Sequence, residues 1–376
     1  MNKLCVVAAG GTGGHMFPAE ALARELMARG WRVVLATDTR GAQYAQGFPA
    51  EERLALDAAT GSGPVALFKA GLTIWNGVRQ AKSSFDRLEA DVVVGFGGYP
   101  SAPSIVAAIL QKRRTVIHEQ NAVLGRTNRL LASRVDAVAS SFPTLDKAGA
   151  AVKARAVVVG APVRADIRVL LDMGYVPPGD GPIRVLVTGG SQGARILSET
   201  VPRALAALPQ AIRARLSVAQ QSRPETMEAA RQVYLEAEIM AEVAPFFRDM
   251  ADRLGTAHLV IGRAGASTCA ELAVAGMPSV LIPLKIATDD HQRLNAKLLA
   301  DVGAAEVVLE DEVTVDRLRH VVAGVLDDDR LAAMSRAARS VAIPDAAQRL
   351  ADLVEQTALS SPSRSDGEVA RRGYAP

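Results

Sequence analysis

His15 is the side chain in this sequence best suited to move a proton near neutral pH, and it ends a run with almost no side-chain bulk, Gly10-Gly11-Thr12-Gly13-Gly14-His15. In such a run main-chain N–H groups and a helix N-terminus can converge on one small volume, which suits a phosphate. The same device returns as Gly189-Gly190-Ser191-Gln192-Gly193-Ala194, which begins 179 residues later, close to half of the 376-residue chain. Two more stretches form a second pair: Asp91-Val92-Val93-Val94-Gly95-Phe96-Gly97-Gly98-Tyr99 and His258-Leu259-Val260-Ile261-Gly262-Arg263-Ala264-Gly265-Ala266. Paired repetition at this spacing marks two halves built to one plan.

The elements that must hold these turns alternate. Strand-like runs at 4–9, 32–37, 91–94 and 115–118 are interleaved with helix-like runs at 18–29 and 103–110. The second half repeats the scheme with strands at 183–187, 216–219, 258–261 and 279–283 and a helix at 195–208. Alternation of this kind predicts parallel sheets with right-handed crossovers, in which ligands bind at the C-terminal strand ends. Every glycine turn named above lies at such an end. The fold class is therefore α/β, with two doubly wound, Rossmann-like domains facing a cleft. The expected division is 1–162, 163–343, a C-terminal helix at 344–359 packing back on the first domain, and a disordered tail at 360–376.

Composition removes several classes. Hydrophobic residues at 49% and charged residues at 22% describe a globular chain, and a net charge of +3 is too small to argue for nucleic acid. Cys5 and Cys269 lack metal or disulfide spacing, and no apolar run resembles a signal peptide or a membrane span, so a reducing, cytoplasmic setting is expected. A dinucleotide fingerprint fails because Met16 and Ser191 stand where glycines are needed, although Asp38 closes the second strand as a ribose-binding acid would. A Walker loop fails because no Lys-Ser or Lys-Thr follows either glycine run.

Taken in order, Gly10 to Pro18, Gly97-Gly98-Tyr99, His118-Glu119-Gln120-Asn121, Gly189 to Arg195 and Gly262 to Thr268 resemble the MurG family. These peptidoglycan enzymes transfer N-acetylglucosamine from UDP-N-acetylglucosamine to undecaprenyl-pyrophosphoryl-N-acetylmuramyl pentapeptide. The likeness runs from about residue 4 to 356. It implies a GT-B fold, with the lipid-linked acceptor on the first domain and the nucleotide sugar on the second. It also implies donor contacts from Thr12, Gly13 and Gly14, Ser191 at the diphosphate, the Phe247 backbone beside uracil, and Ala266, Ser267 and Thr268 at a helix start under the phosphates. Glu271 would hold the ribose, Gln292 and Asn121 the sugar, and Arg164 matches the arginine after the inter-domain proline. Gly97, Gly98 and Tyr99 would face the acceptor. Departures at Pro100, Ala102, Ala161 and Phe247 touch fine geometry rather than the reaction.

Several roles stay double at this level. His15 is either the base that takes the acceptor proton or a phosphate ligand, and Glu119 is either the other base or an organiser of its loop. Glu271 is either a ribose ligand or a first-turn acid that complements its helix dipole. Asp327-Asp328-Asp329 reads as a solvated turn, and no cofactor or essential metal is expected. On a helical wheel Leu67, Phe68, Leu72 and Trp75 share an apolar face edged by Lys69 and Arg79, which fits either an anionic membrane surface or core packing. With the resemblance, this places the chain peripherally on the cytoplasmic face of the inner membrane, with cell-wall synthesis proteins as further partners. The rival activities are a UDP-N-acetylglucosamine 2-epimerase and an NAD-binding oxidoreductase.

Overall fold

Short apolar runs without alternation are the pattern of strands buried on both faces. The computed structural model, which describes residues 3–10, 13–38, 41, 47–59, 64–190 and 193–360, places them in two all-parallel sheets. The first contains β1 (Leu4–Ala8), β2 (Arg32–Thr37), β3 (Glu52–Ala55), β4 (Val92–Gly95), β5 (Arg114–Glu119), β6 (Ala137–Ser140) and β7 (Ala156–Val158), in the order β3-β2-β1-β4-β5-β6-β7. The second contains β8 (Ile183–Thr188), β9 (Leu216–Gln221), β10 (Met240–Ala244), β11 (Leu259–Gly262), β12 (Ser279–Leu281) and β13 (Ala305–Val307), in the order β10-β9-β8-β11-β12-β13. Each order reverses once, between β1 and β4 and between β8 and β11. Such a reversal opens a crevice at the C-terminal strand ends, where the four glycine turns sit.

The helices that matter for the cleft are α1 (Gly13–Ala28), α2 (Pro64–Leu88), α3 (Gly98–Leu110), α4 (Arg126–Leu131), α5 (Arg195–Ala206), α6 (Ala266–Ala275), α7 (His291–Ala300), α8 (Asp328–Ser340) and α9 (Ala346–Leu359). Two of them start five residues before the sequence expectation, α1 at 13 instead of 18 and α3 at 98 instead of 103. Glycine disfavours a helix, so the local signal pointed to the later prolines while the strand ends set the actual starts. As a result Gly13, Gly14, His15, Gly98 and Tyr99 belong to first helical turns.

Gly71 and Gly77 argue against a helix over 64–88, yet α2 runs through both. Gly77 has a packing reason: a Cβ there would lie 2.1 Å from the Asp57 carbonyl oxygen, so only glycine lets the helix pass that strand end.

Both faces of the first sheet are covered. One carries Phe85, Ile105 and Ile117, and the other carries Leu22, Leu26 and Phe96 together with Leu350 and Val354 of α9. The chain's last described helix thus crosses back to the first sheet. There Arg29 meets Asp352 at 2.6 Å and Glu355 at 2.8 Å, and Trp31 Nε1 donates to Glu355 at 2.9 Å. The two halves also touch across the cleft, where Ala122 and Phe142 of the first pack with Ala266, Leu294 and Leu298 of the second.

Candidate active site

In the first turn of α1, His15 is half-buried with Nδ1 2.8 Å from the Phe96 carbonyl oxygen. Nδ1 thus stands between an acceptor, the Phe96 carbonyl, and a donor, Gln120 Nε2; in the tautomer that donates to the carbonyl the neutral ring keeps its lone pair on Nε2. That nitrogen faces the turn after β4: a Cβ added to Gly98, whose φ is +67°, would stand 3.4 Å from it. Gln120 packs against the Nδ1 edge and donates to the same carbonyl at 2.9 Å. Burial pushes the His15 pKa below the usual histidine value, and the Phe96 carbonyl and Glu119 only partly oppose this. At neutral pH Nε2 is therefore free to accept a proton.

Glu119, the second candidate base, has its acceptor capacity filled. Oε1 accepts from Asn121 N at 3.1 Å and Asn121 Nδ2 at 3.2 Å, while Oε2 accepts from Gly125 N and Asn128 Nδ2, both at 2.9 Å. These are about the four acceptor positions a carboxylate has, and the residue is 2% exposed. These bonds tie Glu119 to the 119–128 loop, the organising role among its two readings. Its neighbour His118 is fully buried beside the Gly160 carbonyl and Ser141, and burial lowers its pKa to about 4.

After β4, Tyr99 donates to Asp38 Oδ2 at 3.1 Å, and Asp38 Oδ1 accepts from Gly41 N at 2.8 Å. Gly97, with φ +80°, caps α3 against the Asn128 amide. Asp38 thus ties the end of β2 to the start of α3, beside Gly10 of the first glycine turn.

The second half supplies an anion-binding end. Gly265 caps α6, and Ala266, Ser267 and Thr268 form its first turn, whose N–H groups have no partner within the helix. One turn on, Glu271 Oε1 lies 3.5 Å from Arg164 Nε. Burial raises the Glu271 pKa and Arg164 opposes the rise. Arg164 Nε is buried with no hydrogen-bond partner among the described residues, and its guanidinium stands 5.8 Å from the Phe17 ring of α1. The pair spans the mouth between the halves with bonding capacity left over. Phe247 is 4% exposed and lies under the Arg253 guanidinium at 3.9 Å, which immobilises the main chain just beyond β10.

Gln292, in the first turn of α7, accepts from Leu284 N at 3.0 Å. Asn295, one turn further, was missed in the sequence. It is fully buried; its Oδ1 accepts from Ala122 N at 2.9 Å, and its Nδ2 donates to Asn121 Oδ1 at 3.1 Å and to Ala264 O at 3.3 Å. Its spacing from Gln292 was the only available signal. Thr12 and Ser191 lie outside the described residues.

The α2 face divides. Val78 is buried, whereas Leu72 and Trp75 are 54% and 55% exposed and Lys69 and Arg79 are also exposed. The side chains of Leu67 and Phe68 lie outside the described residues. No helix of the described residues is long and apolar enough to cross a membrane. Asp327 caps α8 through Arg330 N, and among the described residues no three metal-binding side chains cluster.

Two Rossmann-like lobes, with glycine turns and a helix N-terminus converging on one cleft beside a neutral histidine, define a glycosyltransferase of nucleotide-sugar type. The family models agree: residues 5–140 match the glycosyltransferase family 28 N-terminal domain and residues 184–350 its C-terminal domain. The UDP-N-acetylglucosamine--N-acetylmuramyl-(pentapeptide) pyrophosphoryl-undecaprenol N-acetylglucosamine transferase of Caulobacter vibrioides is 62% identical, over 95% of this chain and 100% of its own. That of Phenylobacterium zucineum is 60% identical over 95% and 99%. The crystal structure of Acinetobacter baumannii MurG matches with a TM-score of 0.79 at 32% identity, over 94% of this chain and 99% of that one. The chain belongs to glycosyltransferase family 28, in its MurG group.

Proposed function

We propose that this enzyme transfers N-acetylglucosamine from UDP-N-acetylglucosamine to the C4 hydroxyl of the muramyl sugar in undecaprenyl-pyrophosphoryl-N-acetylmuramyl pentapeptide, a step of peptidoglycan synthesis and so of cell shape and division. The carrying observation is the cleft itself, where helix α1 of one lobe, which bears His15, meets the Arg164–Glu271 pair of the α6 end of the other through the Arg164 guanidinium 5.8 Å from the Phe17 ring.

His15 Nε2 takes the proton of the acceptor hydroxyl as its oxygen attacks C1 of the donor sugar. The bond from C1 to the phosphate oxygen breaks, and its electron pair leaves on UDP, inverting C1 to a β-1,4 link. The developing charge on UDP meets the first-turn N–H groups of Ala266, Ser267 and Thr268 and the Arg164 guanidinium. Glu271 accepts from the ribose hydroxyls, Ser191 and Thr12 complete the phosphate cradle with Gly13 and Gly14, the Phe247 main chain reads uracil, and Gln292 and Asn121 hold the sugar. Gly97, Gly98 and Tyr99 border the acceptor. Leu72 and Trp75, with Leu67 and Phe68 before them and Lys69 and Arg79 beside them, rest on the anionic inner-membrane surface from the cytoplasmic side, where the lipid-linked acceptor is met and other cell-wall synthesis proteins work.

The test is transfer of radiolabelled N-acetylglucosamine to a short-chain lipid-linked acceptor, with and without chelator. Transfer that persists in chelator is expected; its loss would remove the metal-independent mechanism. Release of a 2-epimer from UDP-N-acetylglucosamine alone would replace transfer with isomerisation. For the membrane face, Leu72→Ser with Trp75→Ser is expected to abolish sedimentation with anionic vesicles while leaving transfer to a soluble acceptor intact.

A further inference from the structure

Six non-glycine residues among those described have a left-handed backbone: Glu89, Lys112, Lys147, Glu238, Asp289 and Asp290. Glu89, Lys112 and Glu238 lie within two residues of a helix C-terminus, where that conformation ends a helix. Asp290 caps α7 and pairs with Arg293 inside it, whereas Lys147 and Asp289 meet each other between the halves. Asp289 Oδ2 binds Arg129 of α4 at 2.7 Å and Oδ1 binds Lys147, beyond β6, at 2.6 Å. Unfavourable backbone conformations persist only where their surroundings over-determine them, and they gather at functional sites.

The contact reaches the site in both directions. Arg129 also donates to the Leu124 carbonyl at 2.9 Å, tying Asp289 to the loop that carries Asn121. Asp289 in turn immediately precedes α7, which carries Gln292 and Asn295, and Asn295 bonds Ala122 and Asn121. The two carboxylate contacts hold the Asp289 pKa down to about 2, so the latch is charged throughout the working range.

We propose that Asp289 is a positioning residue: clamped by Arg129 and Lys147, it locks α7 onto the 119–128 loop so that Gln292 and Asn121, from opposite lobes, form a single pocket for the donor sugar. This rests on the reading of those two residues as sugar ligands. A latch at the sugar end acts on the sugar, whereas the uracil and ribose contacts proposed for the nucleotide lie on the second lobe and do not pass through it.

Calorimetric titration of the full-length enzyme with UDP and with UDP-N-acetylglucosamine separates the two. In Asp289→Asn, which keeps the shape and tolerates the left-handed backbone, affinity for UDP-N-acetylglucosamine should fall about tenfold while that for UDP stays unchanged. Arg129→Ala with Lys147→Ala, both partly exposed side chains, should reproduce the effect without disturbing the fold. Equal losses for both ligands, or no loss for either, overturn the latch. A wild-type enzyme that transfers the sugar but binds UDP-N-acetylglucosamine no more tightly than UDP would overturn the sugar pocket and the latch with it.

Discussion

A histidine fixed through Nδ1 to a carbonyl and half-withdrawn from water is a base that needs no carboxylate behind it. Because burial lowers the His15 pKa, the neutral form persists below the ordinary histidine value, and protonation removes the base only as pH falls further. The acid limb of kcat/KM should therefore lie below that ordinary value, and His15→Ala should lower kcat by ~10²-fold or more. An acid limb above it, or an unchanged kcat in the variant, would take the base role from His15. Glu119 behaves differently. Its removal leaves four donors of one loop unpaired, so Glu119→Ala should cost about 3 kcal/mol or more in stability. Glu119→Gln should also melt lower, since its amide would meet the Gly125 and Asn128 donors with a donor of its own. A Glu119→Gln enzyme that melts like the wild type yet has lost kcat would restore Glu119 as a base. In the sequence these two residues looked alike, as titratable groups in polar turns. What separates them is how many donors surround each, a property of loop closure that no spacing displays.

Helix α2 carries the clearest contrast between elements. Gly71 and Gly77 read identically along the chain, but a Cβ on Gly71 meets nothing within 4 Å whereas one on Gly77 would strike Asp57. Gly71→Ala should thus stabilise the protein by about 0.5–1 kcal/mol through helix propensity. Gly77→Ala should destabilise it, because the obstacle is a backbone carbonyl that cannot move aside. Denaturant melts of the two variants check this directly, and equal shifts would mean that α2 does not pass the strand end this closely. Most strands and the glycine turns were legible because short apolar runs and missing side chains are local signals. The true starts of α1 and α3 were not, since glycine disfavours a helix. Nor was the left-handed pair Asp289 and Asp290, because two aspartates do not by themselves announce positive φ, and the cations that hold Asp289 are 160 and 142 residues away.

At the scale of the whole molecule, a repeated fold has become two unlike lobes: in the proposed mechanism one supplies a base and an acceptor edge, the other an anion-binding helix end. The first lobe is closed by α9 from the far end of the chain, so the covalent order of the halves is interlaced and neither lobe is independent of the chain that forms the other. If the nucleotide rests on the second lobe and the sugar bridges both, ligands should stabilise the lobes unequally. UDP adds free energy only to the second lobe, whereas UDP-N-acetylglucosamine couples its unfolding to the first. At a hundred times its dissociation constant, a ligand that binds only the folded state adds about 2.7 kcal/mol. Differential scanning calorimetry should accordingly show UDP raising the transition of the second lobe alone and UDP-N-acetylglucosamine raising both or merging them. Identical thermograms with the two ligands would mean that the sugar never reaches across the cleft, and the base on the first lobe would then have nothing to act on.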